Sequence, residues 1–372
     1  MKFSINKETI LNLLHKIQGL TGRKTDIFIT SHILIKATGK SISVFATDLE
    51  TGFKGIYPAS VEKEGSIVIN SKKIFDIIKN FPSDDILIHE VENCWIEIGK
   101  DNIEYHIVGL SPNDFPDFPE FGDTDFFEID SISFKKMIDK TIFISGDPND
   151  KRTHIHGIYF DPIYSKDKNI IRFVSTDGKR LSMVDYFYEN NFKFSDSGAL
   201  IPKKGLYETN KFLKSEGSVN IGFKKNYFII KNVNETIVIR LLEGDFPKYN
   251  ELFITDDNIS KIHIDRQMFF MMLKRMSILS TENYKGILFN FKENNLVITA
   301  TNPEVGDSKE NMVIKFQNKP IKIAFNPKYF IEAISVIDDD NIILNIKDEE
   351  HPCIIEGETD KNFLSIIMPM RI

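Results

Sequence analysis

The chain of 372 residues has little cysteine or tryptophan: Cys94, Cys353 and Trp95 are the whole supply. The two cysteines are remote and have no metal-ligand spacing around them. That excludes a disulfide framework and reads as free, buried thiols in a reducing compartment. No window holds eighteen uninterrupted apolar residues, so no transmembrane helix is expected. The opening Met-Lys-Phe-Ser-Ile-Asn-Lys-Glu lacks the apolar core of a signal peptide, and a cytoplasmic location is expected.

Catalytic signatures are missing as well. There is no Walker A loop, no Gly-x-Gly-x-x-Gly, no His-Glu-x-x-His and no Gly-x-Ser-x-Gly. His154 and His156 could present two imidazoles on one strand face, but no third ligand lies nearby, so no metal is expected. Asp338-Asp339-Asp340 falls between a helix and a strand and reads as a solvated turn. Asp177 could be a general base, yet no nucleophile or second base is spaced to help it. Asn234-Glu235-Thr236 matches a glycosylation sequon without meaning in a cytoplasmic protein. With 41% hydrophobic and 27% charged residues, the chain is an ordinary globular protein able to bury a core. Neither an enzyme nor a cofactor is expected.

What the chain does have is a repeat. Residues 171–182 read as a strand, a Thr176-Asp177-Gly178 turn and a second strand, a strong hairpin signal. The same cadence occurs at Ala46-Thr47-Asp48-Leu49-Glu50 and at Ala300-Thr301-Asn302-Pro303-Glu304, about 125–130 residues apart. That interval is too long for a solenoid and suits a domain repeated three times. Helices are expected at 6–16, 71–80, 133–141, 202–214, 263–276 and 326–337, from apolar spacing and caps. Short strands are expected between them, including one at 27–29. Phe115-Pro116 and Phe246-Pro247 fall at matching places, at the exits of the first and second rounds. The reading is an α+β fold of three similar domains, 1–124, 125–256 and 257–372, each an antiparallel framework with two helices on one side.

The net charge of −7 at first argues against nucleic acid. Its distribution argues otherwise, because the six helical windows together carry about +10 and everything else about −17. Were the helices to line one surface, it would hold phosphates through Lys and Arg without reading bases.

Taken in order, the segments Met1-Lys2-Phe3, Ala46 to Glu50, Asn113-Asp114-Phe115-Pro116, Ser175 to Ser182, Glu243 to Tyr249 and Met368-Pro369-Met370-Arg371-Ile372 run the length of the chain. Together they resemble the bacterial DNA polymerase III beta subunit, the replicative sliding clamp. The resemblance implies a head-to-tail homodimer closing into a ring of six domains, with helices lining the hole and sheets forming the rim. Such a ring encircles duplex DNA without sequence specificity and tethers the replicative polymerase.

It further implies a pocket for a short peptide from the polymerase III catalytic subunit, the clamp loader and repair proteins. The matching positions are Ile155, Thr176, Gly178, Lys179, Arg180 and Leu181; Pro247 and Leu252; and Asn326, Tyr329, Pro352, Ile366, Ile367, Met368, Pro369, Met370 and Arg371. Apolar members would make an adaptable cleft, with Arg180, Arg371 and Asn326 as polar fixation. Lys179 stands where relatives often carry His, and Glu251 where some have a basic residue. Arg23, Lys24, Lys203 and Lys204 match DNA contacts, and the subunit interface would join Lys73, Tyr105 and Ile107 to Ile278 and Leu279. The competing reading from another class is a metal-dependent enzyme that processes nucleic acid from a basic cleft.

Overall fold

The structure is a computed structural model; it describes all residues except 23–26, 101, 145, 148, 166–167, 196, 254–258, 282–284 and 372, together with the side chain of Lys100. Among the described residues there are six α-helices: α1 (Lys7–Thr21), α2 (Ser71–Asn80), α3 (Ser131–Ile142), α4 (Lys203–Asn210), α5 (Arg266–Met276) and α6 (Pro327–Ser335). No helix among them is long and apolar enough to cross a membrane.

The chain packs into two compact units. One joins Met1–Lys135 to Lys204–Leu241, and the other joins Lys136–Lys203 to Leu242–Ile372. Each is built on an eight-stranded sheet in which every pairing is antiparallel. In the first unit the seam of that sheet is Thr51–Pro58 against Glu235–Arg240, with Gly52 opposite Val238. In the second it is Arg180–Tyr188 against Phe363–Ile367, with Leu181 opposite Ile366. At each seam a strand from the middle of the sequence zips onto one from an outer third. A five-stranded sheet completes the first unit and a four-stranded sheet the second.

The helices bury one apolar face, as their spacing requires. α1 buries Ile10, Leu13, Leu14 and Ile17, and α2 buries Ile74 and Ile78. Phe269 of α5 and Phe330 of α6 meet Phe289 and Phe325 at centroid distances of 5.1–6.3 Å. Every helix but α2 departs from its expected span by at least a residue, and three of the departures have a visible cause. α1 runs past Gly19, where an added Cβ would meet the Glu208 carboxylate and force it to move. α4 starts after Pro202, which ends the strand Ala199–Pro202. α5 starts late because His263 lies in the strand Ser260–Asp265, and Asp265 caps the helix by accepting from Met268 N at 2.7 Å. The strand expected at 27–29 is instead a 3-10 turn, Phe28–Ser31.

Candidate partner-binding groove

In the second unit, the turn after the strand Asn169–Thr176 is held by its own side chains. Thr176 Oγ1 donates to Arg180 O at 2.7 Å, and Asp177 Oδ1 accepts from Lys179 N at 2.9 Å. Gly178 takes a φ of 84°, which a side chain would resist. This turn, the Phe246–Tyr249 linker and the strand Phe363–Ile367 enclose a groove of about 320 Å³. Of the expected peptide positions, Thr176, Gly178, Arg180, Leu181, Pro247, Leu252, Ile366 and Met368 line it. Lys179, Asn326 and Tyr329 border a second hollow of about 660 Å³, which shares Arg180 with the first. Ile155, Pro352 and Ile367 are buried, and Ile367 sits between Arg180 and Cys353 in the sheet. Met368 N donates to Lys179 O at 3.0 Å and Met370 N to Ala324 O at 2.8 Å, so the last residues are fastened on both sides. Pro369 is half-buried, and Arg371 is exposed.

The groove walls are apolar and the rim is charged. Arg180 is almost wholly buried: Nε donates to Asp177 Oδ2 at 3.0 Å, Nη1 donates to Glu332, and the guanidinium lies 4.3 Å from the Tyr329 ring centre. Such a fork, fixed by two carboxylates, is a rigid post between the two hollows.

Arg152, His154, Phe246, Lys248 and Tyr249 also line the groove and were not among the expected contacts. Phe246 and Tyr249 were within reach of sequence reading, because they flank Pro247 in the recurring Phe-Pro segment. Arg152 and His154 carried no such signal. His154 lies in the 3-10 turn Thr153–His156, not on a strand face, and burial with the nearby Arg152 lowers its pKa. His156 Nε2 instead contacts Asp150 O at 2.7 Å. Asp338 pairs with Lys136 at 3.0 Å, and Asp339 accepts from the amides of Thr359 and Asp360 at 2.6 and 3.0 Å.

The cations expected to meet DNA fare differently. Arg23 and Lys24 lie outside the described residues. Lys204 is held by Asp48 at 2.6 Å and Glu50 at 3.2 Å. Lys203 turns inward and donates to Ile155 O at 2.6 Å, and burial pushes its pKa down to about 8 despite the nearby Asp177. The exposed helix lysines include Lys72 and Lys79 of α2 and Lys135 of α3.

The shift at Lys203 has a testable consequence. The unfolded chain keeps this proton to about pH 10.5, and the folded chain gives it up near pH 8. Burial of the charge therefore costs stability below pH 8, and the cost fades as pH rises towards 10.5. Lys203→Met is expected to melt above the natural chain at pH 7, with the gap closing by pH 10. Thermal scans at both pH values check this, and a gap independent of pH contradicts it.

Of the expected interface residues, Tyr105 and Ile107 lie on a sheet edge, Lys73 on a helix, and Ile278 and Leu279 in a turn. Tyr105 is exposed and Ile107 half-buried on Ile103–Val108, the outer strand of the five-stranded sheet, and Lys73 is exposed on α2. In the second unit, Ile278 is exposed and Leu279 half-buried in the turn after α5, and Gly306–Val313 is an outer strand of the four-stranded sheet. Open edges with exposed apolar side chains are pairing templates.

Three family models match in succession: the N-terminal domain of the DNA polymerase III beta subunit over residues 1–119, its central domain over 128–248, and its C-terminal domain over 253–371. The chain is 26% identical over 372 residues to the beta sliding clamp of Chlamydia pneumoniae, covering 100% of this chain and 99% of that one. Among solved structures, a putative DNA polymerase III beta subunit from Eubacterium rectale matches with a TM-score of 0.92 and 27% identity. The DNA polymerase III subunit beta from Pseudomonas aeruginosa matches with 0.93 and 26%. Both cover 100% of each chain. Matched in order by all three of its domain models, the chain belongs to the DNA polymerase III beta subunit family, the DNA sliding clamps.

Proposed function

We propose that this DNA sliding clamp works as a closed head-to-tail homodimer around duplex DNA, with domains at 1–124, 125–256 and 257–372. The observation that carries this reading is the pair of open sheet edges, Ile103–Val108 in one unit and Gly306–Val313 in the other. Different surfaces on the two partners give a heterologous contact, and such contacts form rings when the rotation closes. Exposed Lys72, Lys79 and Lys135 are the better phosphate contacts in this reading, because Lys203 and Lys204 are already engaged. The groove of the second unit takes the apolar anchors of a short peptide carried by the polymerase and other replication or repair partners. The clamp acts in the cytoplasm and does no chemistry; it confers processivity by topology.

Sedimentation equilibrium should give twice the 42.9 kDa chain mass. Tyr105→Asp with Ile278→Asp should give the single-chain mass by placing charge on both edges. A natural chain that stays at 42.9 kDa at micromolar concentration contradicts the ring. The competing reading, a metal-dependent nucleic-acid-processing enzyme, has one observation to draw on: Glu97, Glu104 and His106 offer ligand atoms within 4.8 Å of one another. Glu104 and His106 are exposed and Glu97 half-buried, on an outer strand pair of the first unit, and none of the three lines the groove of the second. Turnover of DNA by the purified chain with added magnesium or manganese would support that reading.

A further inference from the structure

The two sheet seams are built alike. In the second unit, Thr176 Oγ1 accepts from Gly178 N at 3.1 Å, and Asp177 Oδ1 accepts from Arg180 N at 3.1 Å. In the first unit, Thr47 Oγ1 accepts from Leu49 N at 2.9 Å and donates to Thr51 O at 3.1 Å. There Asp48 Oδ1 accepts from the amides of Glu50 and Thr51 at 3.1 and 2.7 Å. Leu49 even takes the left-handed φ of 74° that Gly178 takes at 84°. A bulky residue rarely adopts it, so the turn is held against a local steric cost.

The linkers correspond too. Phe246 stacks on Tyr159 at 4.8 Å, and Phe115 packs on Leu34, which the strand register places at the same point of its sheet. A hollow lies at each seam between the turn, the Phe-Pro linker and the facing strand. It measures about 320 Å³ in the second unit and only about 80 Å³ in the first.

One aromatic side chain accounts for the difference. Tyr249, three residues after Phe246, is tied back: its hydroxyl donates to Asp161 Oδ2, and Asp161 stands opposite Arg172 across the sheet. Phe118, three residues after Phe115, has no hydroxyl, and the same register puts Lys36 and Ser43 where the second unit has Asp161 and Arg172. Phe118 instead meets Phe45 edge-on at 5.7 Å and lies over Gly52, whose added Cβ would stand 3.2 Å from the ring. Gly52 occupies the place of Leu181, opposite Val238 as Leu181 is opposite Ile366. The ring thus fills the space that is open groove in the second unit.

We propose that the seam of the first unit is a second copy of the docking groove, held shut by Phe118, so that each chain offers one open site while its architecture contains two. Opened, it takes the same class of ligand, a short peptide with an aliphatic or aromatic anchor. The proposal rests on the reading of the second-unit groove as a peptide site. The test is the stoichiometry of a labelled Gln-Leu-Ser-Leu-Phe peptide on the full chain, by titration calorimetry. The natural chain binds one peptide per chain and Phe118→Ala binds two. Phe118→Ala lacking residues 368–372 binds one, at the first unit alone. If Phe118→Ala does not melt as a folded protein, Phe118→Tyr with Lys36→Asp rebuilds the tether and is likewise expected to bind two. One peptide per chain in the folded variant overturns the shut groove and leaves the second-unit site standing. No binding by the natural chain overturns the underlying reading as well.

Discussion

Replacing Arg180 by alanine is expected to destabilise the unit 136–203 and 242–372 by about 3–5 kcal/mol, the usual cost of breaking a buried ion pair from one side. The guanidinium is almost wholly buried between Asp177, at 3.0 Å, and Glu332. Without it the two carboxylates lose their shared partner, and the compensation left comes from exposed Lys328, 3.8 Å from Glu332, and from Arg152 and Lys203 near Asp177. The lost stacking on the Tyr329 ring, 4.3 Å away, adds to the cost. In a unit of this size the melting transition should fall by on the order of ten degrees. Arg180→Lys should recover little, because an ammonium cannot bridge two carboxylates as a planar fork does. Scanning calorimetry of the natural chain and both variants measures the effect. Because the chain has two compact units, the comparison applies to the transition that moves. A transition for Arg180→Ala within a degree of the natural one would mean that the post is not structural.

Much of this arrangement was legible in the sequence because it is local. The Thr-Asp turns announce themselves through side chains that hydrogen-bond their own backbone two or three residues on, and Thr47-Asp48 and Thr176-Asp177 do so. Helix positions followed from apolar spacing, and the errors fell at the helix ends. Gly19 reads as a breaker until Glu208 is seen lying against it.

The charges were the least legible part. A count of lysines on helices cannot reveal that Lys16 is taken up by Glu235 at 3.0 Å, Lys140 by Asp360 or Lys203 by a carbonyl. Much of the helical positive charge is therefore spent inside the fold, and that set of partners is fixed by tertiary packing. Arg152 and His154 were invisible for the same reason. They reach the groove only because a 3-10 turn places them beside a linker far along the chain.

The most direct test of the account is binding of a labelled Gln-Leu-Ser-Leu-Phe peptide to the full chain and to one lacking residues 368–372. Met368 lines the groove, and its amide fastens the segment to Lys179 O at 3.0 Å. Removing the segment takes away one wall and leaves the strand Phe363–Ile367 in place. The account predicts saturable binding by the full chain and a loss of about a hundredfold or more on truncation, equivalent to about 2.7 kcal/mol. Equal affinity for both chains, or no binding by the full chain, would contradict the groove as the docking site.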